Sequence, residues 1–328
     1  MFSIEELFSK RNQRDAFLHF STKKDGVGPD QMRLSELENY WKLNEQRIIQ
    51  DVKNGTYQPG IIQNHEILNR RGKRRIVSSL CVIDRFLTRL LSQKLKRYLE
   101  PEFMENSFAY QEGKGILDAV QTAQQFIESG NIWVAEIDLQ NYFDTVNLER
   151  LLGMIQEKIA DEAVRQLIRS YLYCKIQQDI QIFDKTEGLV QGNSISPVLS
   201  NLYLHEFDCY LQKKLYQWIR FADNICIYSD NMECAEQIFE HVCQVLEDTF
   251  GVVVNRKKSG VFDVYSRRLL GYEFYKVNGK VACRKYQYQK ANYYNNWKPC
   301  VIEKVNREYH LVQNGVLNKK DYSFLFEK

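Results

Sequence analysis

Residues 132–139 read IWVAEIDL, a run of β-branched and apolar side chains closed by Asp138. Such a run is the pattern of a strand covered on both faces, and the acid at its end is delivered to an edge or a cleft. Further along, residues 219–229 repeat the arrangement as IRFADNICIYS, where Asp223 and Asn224 stand between two apolar arms. A single acid at a strand end is ordinarily a helix cap or a solvated turn. Two of them on apolar strands are harder to dismiss, because like charges in a partly desolvated cleft repel unless a cation lies between them. Mg2+ suits such a pair, being a hard ion that keeps coordination positions for water and substrate phosphate.

Outward from these strands the apolar period sets the other elements. It predicts helix from Ile4 to about Tyr57, ended by Gly55 in the turn NGTYQPG, then short strands at Ile61–Leu68 and Arg74–Val77 joined by the basic turn NRRGKR. Helices are expected over Ile83–Tyr98, 147–158, 161–173, Ser196–Leu215 and Glu233–Phe250. VVVN (252–255), a basic turn and a strand-like LLGYEFYKV (269–277) follow, closing at Asn278-Gly279. The order βαβ, then ββ, then αβ predicts the α+β class with an antiparallel sheet, not a doubly wound nucleotide fold.

The chain of 328 residues is 44% hydrophobic and 27% charged, the profile of an ordered globular protein. Its net charge of +3 is the small remainder of 45 basic against 42 acidic groups, so only local clusters point to a polyanion. Arg70, Arg71, Lys73, Arg74 and Arg75 form one, and Arg256, Lys257 and Lys258 another. The eight cysteines stand singly, without a C-x-x-C pair or zinc spacing, and read as reduced thiols. No apolar run of membrane-spanning length and no leader pattern occur, which predicts a cytoplasmic protein. Gln191-Gly192 supplies a glycine that lets backbone approach a nucleotide, and the basic turn at 70–75 supplies cations for a triphosphate. The residues by themselves therefore point to metal-assisted phosphoryl transfer on a nucleotide and leave open whether a template is used.

In order and spacing, residues 15–275 resemble the reverse transcriptases of the bacterial group II intron-like class. KKDGVGPDQM and LENYWKLNEQRIIQDVKNGTYQPG are similar to the segment ahead of the fingers, and NRRGKRRIVSSLCVIDRFLTRLL to the fingers. The resemblance implies a right-hand polymerase with fingers and an antiparallel palm: a helical extension at 1–60, fingers and palm at 61–280, and a short thumb remnant or linker at 281–306. IDLQNYFDTV is similar to the first catalytic motif, which assigns Asp138 to both metals and Phe143 to the gate that excludes a 2′-hydroxyl. QGNSISPVLSN places Gln191 and Gly192 against the incoming nucleotide, and FADN stands where the family has an aromatic-x-Asp-Asp turn, making Asp223 a metal ligand and Asn224 its neutral neighbour. Lys258 is implied as general acid and RRLLGYEF as primer grip, while the position of the basic turn makes Arg75, with Lys73 or Arg71, the expected triphosphate clamp. The implied cofactor is Mg2+, with Mn2+ as the alternative; the implied partners are an RNA template, a DNA or RNA primer and deoxynucleoside triphosphates.

The chain departs from that pattern at Asn224, at Gln111-Glu112 where the family has Arg-Pro (Lys114 being the expected compensation), and in the short stretch KYQYQKANYYNNWKP where a thumb would stand. Residues 307–328, REYHLVQNGVLNKKDYSFLFEK, resemble the opening hairpins of the CRISPR spacer integrase. That implies the polymerase half of a fusion, acting with CRISPR adaptation proteins to acquire spacers from RNA. The alternatives are a catalytically weak or inactive RNA-binding scaffold of an adaptation complex and a retron or abortive-infection reverse transcriptase.

Overall fold

The computed structural model describes residues 2–68 and 74–286, the side chains of Leu68, Arg74 and Arg75 excepted. In chain order its elements are α1 (Ile4–Leu7), α2 (Lys10–Ser21), α3 (Leu37–Lys53), β1 (Ile62–Leu68), β2 (Arg74–Ser79), α4 (Val82–Leu99) and α5 (Ile116–Glu128). Then come β3 (Trp133–Asp138), α6 (Tyr142–Thr145), α7 (Leu148–Lys158), α8 (Glu162–Leu172), β4 (Lys175–Gln178), β5 (Gln181–Asp184) and α9 (Ser196–Lys213). The series ends with β6 (Gln217–Phe221), β7 (Asn224–Ser229), α10 (Met232–Asp248), β8 (Gly260–Asp263), β9 (Arg268–Leu269), β10 (Tyr272–Val277) and β11 (Lys280–Lys285). The class is α+β.

The central sheet runs β6-β7-β3-β8, antiparallel throughout. Opposed residues of an antiparallel pair share a face, so the register sorts its side chains. Ala135, Ile137, Trp218, Ile225 and Ile227 join the main core with α9 and α10. Val134, Ile219, Cys226 and Tyr228 face the other way, against Ala119, Val120, Ala123 and Ile127 of α5 and against Leu269 and Phe274. Both faces are covered, which is why β3 and β7 read as unbroken apolar runs instead of alternating.

A second sheet, β2-β1-β4-β5, sets β1 parallel to β4. Its entry is held by buried Asp84 of α4, whose carboxylate accepts from the hydroxyls of Tyr57 (2.7 Å) and Tyr171 (2.8 Å) and from the Gly60 N–H (2.9 Å). Near the C-terminal end of β2, the Ser78 N–H donates to the Gln191 carbonyl at 2.9 Å, tying that strand to the loop before α9.

Three local readings are corrected. The expected helix from Ile4 to Tyr57 is interrupted over residues 22–36, where Gly26, Gly28 and Pro29 favour turn backbone over helix. VVVN makes only an isolated bridge, Val254 to Leu139, because β8 takes the edge of the sheet. LLGYEFYKV divides into β9 and β10 at Leu270 and Gly271, both at positive φ (+51° and +86°). Helix α5, which packs on one face of the central sheet, and the β4–β5 hairpin, which extends the second, were not read from sequence, and β9, β10 and β11 form a third sheet. The stretches 287–306 and 307–328, expected as thumb remnant and integrase-like start, lie outside the described residues. Among the described residues no helix is long and apolar enough to cross a membrane.

Candidate active site

Asp138 ends β3 and Asn224 opens β7, and the register sets them directly opposite one another. Their side chains therefore leave the same face of the sheet, with Glu136 and Cys226 one step behind. Asp223 occupies the two-residue turn Ala222-Asp223 between β6 and β7. Its carbonyl accepts from the Leu139 N–H at 3.3 Å, and its Oδ1 accepts from the Asn224 amide at 3.3 Å. The ladder thus brings Asp138, Asp223 and Asn224 to one end of adjoining strands.

Asp138 is oriented by the turn that follows α10. Its Oδ1 accepts from Lys258 Nζ at 2.9 Å and from Asn255 Nδ2 at 3.0 Å, its N–H donates to Ser259 Oγ at 3.0 Å, and its carbonyl accepts from the Asn255 N–H at 2.8 Å. The turn is tight because the N–H groups of Lys258 and Ser259 both donate to the Asn255 carbonyl, at 2.9 and 3.0 Å. Asp138 is largely covered, with 19% of its side chain exposed, whereas Lys258 is 58% exposed. A cavity of about 600 Å3 opens on this face, walled by Asp138, Asn224, Lys257, Lys258 and Arg267. Arg267 is itself fixed, donating from Nη2 to Glu136 Oε2 at 2.7 Å and lying 3.9 Å from the Phe262 ring centre.

Among the described residues no group of three His, Cys, Asp or Glu side chains gathers to hold a metal. That donor set argues against a closed zinc site but fits Mg2+, which needs only one or two carboxylates when substrate phosphates complete its shell. The Lys258 ammonium lying on Asp138 marks the same spot as one that attracts positive charge.

Phe143, expected from the resemblance to face the nucleotide, sits half-buried in α6, edge-on to Tyr142 (5.9 Å between centres) and to Tyr110 (6.4 Å). Tyr110 has a positive φ of +64°, and burial together with the nearby charge of Asp223 raises its hydroxyl pKa. Gln191 donates to Asp144 Oδ1 at 3.3 Å. Gly192 has φ +109°, and a Cβ there would meet the Ser78 carbonyl oxygen at 2.6 Å. Its missing side chain thus serves close packing of the loop on β2, a reason the sequence reading did not supply. The cation expected to compensate for Gln111-Glu112 is not available for that purpose. Lys114 donates from its ammonium to the carbonyls of Met104 (3.3 Å), Glu105 (2.9 Å) and Ser107 (3.1 Å), using all three of its donors. Arg71 and Lys73 lie outside the described residues, as does the side chain of Arg75, whose backbone pairs with Ile67.

Asn255, Ser259 and Tyr110 were not singled out by sequence. The signal for Asn255 was an amide three residues before Lys258, at a spacing that a single turn closes. Arg220 was also missed, although one arginine in the apolar strand QWIRF demands a buried partner. Burial penalises its charge, but the Asp208 carboxylate outweighs that penalty and holds the guanidinium ionised.

The family model described as reverse transcriptase (RNA-dependent DNA polymerase) matches residues 59–274. The chain is 30% identical over 171 residues to the group II intron-encoded protein LtrA of Lactococcus lactis subsp. cremoris, covering 52% of this chain and 28% of that protein. It is 28% identical over 192 residues to protein YkfC of Escherichia coli strain K12, covering 57% of this chain and 50% of that one. A solved structure titled "Partial Cas6-RT-Cas1--Cas2 complex" is similar at 22% identity and a TM-score of 0.44, covering 75% of this chain and 41% of that chain. The chain thus spans half or less of the length of each of these proteins.

Proposed function

Since the chain belongs to the reverse transcriptase (RNA-dependent DNA polymerase) family, we propose that it extends a primer with deoxynucleotides along an RNA template, with fingers formed around β1 and β2 and a palm around β3, β6 and β7. The observation that carries this reading is the register of Asp138 against Asn224, with Asp223 in the adjoining turn. Asp138 and Asp223 would hold the divalent ions, Mg2+ or Mn2+, and the amide oxygen of Asn224 would add a neutral ligand. Bound there, such ions favour ionisation of the primer 3′-hydroxyl and neutralise charge on the departing pyrophosphate.

The protein's own groups do the rest. Asn255 and Ser259 keep Asp138 aimed into the cleft. Lys258, whose ammonium can leave Asp138 when a metal takes its place, carries a proton at Nζ that it donates to the leaving pyrophosphate. Phe143, backed by Tyr110, closes the space a 2′-hydroxyl would need, and Gln191 orients the nucleotide from the loop tied to β2. Arg75, with Lys73 or Arg71, neutralises the triphosphate.

The place of this activity is proposed as the acquisition of CRISPR spacers from RNA in the cytoplasm, beside the integrase and its adaptation partners. That rests on the likeness of residues 307–328 to integrase hairpins. A second reading, an RNA-binding scaffold without synthesis, is favoured by Asn224 and by the ammonium already seated on Asp138. Primer extension on an RNA template separates the two. The polymerase reading expects synthesis that needs Mg2+ or Mn2+ and is lost in Asp138→Ala and Asp223→Ala while RNA binding survives. No synthesis by the wild type with either metal, and unchanged RNA binding without metal, would favour the scaffold.

A further inference from the structure

The turn that carries Asp223 is under conformational tension. Ala222 adopts φ +58° at the first central position of a two-residue hairpin turn, a backbone that glycine adopts freely and alanine does not. What holds it lies beneath the sheet. Arg220 pairs with Ile225 and so points to the α9 side, away from the cleft. There it is 1% exposed, and every N–H of its guanidinium has an acceptor.

Nε donates to Asp208 Oδ1 at 2.7 Å and Nη2 to Asp208 Oδ2 at 2.6 Å, a two-pronged pair. Nη2 also donates to Ser107 Oγ at 2.9 Å. Nη1 donates to Asn201 Oδ1 at 3.0 Å and to the carbonyl oxygen of Ala222 at 3.0 Å. That last carbonyl belongs to the peptide joining Ala222 to Asp223. If this peptide flipped, the carbonyl would leave a buried donor unmatched, and the φ of Asp223, which sets how its Cβ leaves the turn, would change with it.

The other ends of the network reach the nucleotide side. Asn201 and Asp208 lie on α9, the helix that the Gln191-Gly192 loop leads into. The Asn201 amide donates to the Ala109 carbonyl at 2.8 Å, one residue before Tyr110 and its contact with Phe143. One buried guanidinium therefore joins the metal-bearing turn, the helix behind the nucleotide loop and the segment behind the gate.

We propose that Arg220, with Asp208 and Asn201, is a positioning residue that fixes the orientation of Asp223 and thereby sets the affinity of the site for its divalent ions. The proposal rests on the reading of Asp138 and Asp223 as metal ligands. It assigns to a buried ion pair a part in metal binding that stability alone would not require: the network fixes a carboxylate it never touches, through the peptide that carries it.

The test measures Mn2+ binding to the full chain without nucleotide, by calorimetry or by the electron-spin signal of free Mn2+, with thermal unfolding to verify the fold. Wild type, Asp223→Ala, Arg220→Lys and Asn201→Ala are compared. Lysine keeps a charge for Asp208 but lacks the fork that reaches Ala222 and Asn201 together. The expected result is Mn2+ binding by the wild type that Asp223→Ala impairs, weakened about tenfold or more in folded Arg220→Lys and by a smaller factor in Asn201→Ala. In primer extension the Mg2+ midpoint should rise in the same order, Arg220→Lys above Asn201→Ala, a match with Mn2+ affinity that general loosening of the fold would not produce. Folded Arg220→Lys and Asn201→Ala that bind Mn2+ as tightly as the wild type would overturn the positioning role. Should Arg220→Lys fail to fold, Asn201→Ala decides by the same criterion. Wild-type binding that Asp223→Ala leaves untouched would overturn the metal-site reading itself.

Discussion

In the proposed metal site a single atom type, at Asn224, would govern the response to the ion. An amide where a carboxylate would fit removes one negative charge beside Asp138 and Asp223, so less repulsion must be neutralised and less attraction awaits a cation. Asn224→Asp is expected to lower the half-saturating Mg2+ concentration for synthesis by roughly tenfold, about 1.4 kcal/mol. Without metal the same variant should unfold at a lower temperature than the wild type, and added Mn2+ should reverse the order, which a melting series with and without metal would read. Phe143→Ala opens the space beneath the sugar, and its discrimination against ribonucleotides should fall by roughly tenfold or more in competitive incorporation. Both residues are legible in sequence through the resemblance of IDLQNYFDTV and FADN to reverse transcriptase motifs. Asn255 and Tyr110 are not, because what gives them a role is a contact with a residue far along the chain: Asn255 with Asp138, Tyr110 with Phe143.

The loop from β5 to α9, proposed to face the nucleotide, is built from close approaches. Gly188 admits the Asp144 backbone, a Cβ there meeting its carbonyl oxygen at 2.5 Å, as Gly192 admits Ser78. Gly192→Ala combines a positive φ with a backbone clash, and a loss of roughly 1–3 kcal/mol in denaturant unfolding is expected, together with impaired synthesis. The loop is also held by Lys185, whose ammonium donates to the carbonyls of Glu187 and Gly188. Burial lowers its pKa to about 8. Below that pH both folded and unfolded chains carry the charge, and the folded state bears the cost of covering it. Between about 8 and the unfolded value near 10.4 the unfolded chain holds more protons, so stability rises with pH. Wild type should therefore gain stability relative to Lys185→Met across that window, by an amount on the order of 3 kcal/mol. A difference between the two melting curves that stays flat from about pH 7.5 to about 10.5 would contradict this. None of this loop's geometry is written in its periodicity; QGNSISP announces a turn and a helix, but not that β2 lies against it.

For the whole molecule, a net charge of +3 leaves affinity for nucleic acid to local cations. Neutralising Arg70, Arg71, Lys73, Arg74 and Arg75 together should weaken RNA binding and flatten its dependence on salt by about 0.7 logarithmic units for each phosphate that the variant leaves unneutralised. An unchanged salt slope would mean that the turn touches no phosphate. The α+β class, the acid-bearing strands of the central sheet and the candidate metal pair are all legible in the sequence, since they follow from local period and from residues whose chemistry is strong wherever they sit. That Asn224 stands opposite Asp138, that the Asn255 turn aims the carboxylate, and that a buried arginine holds the turn of Asp223 emerge only when the chain is packed. Strand register and the partners of buried polar groups depend on which distant segments meet, and those meetings are chosen by burial over the entire core, which no local window of sequence contains.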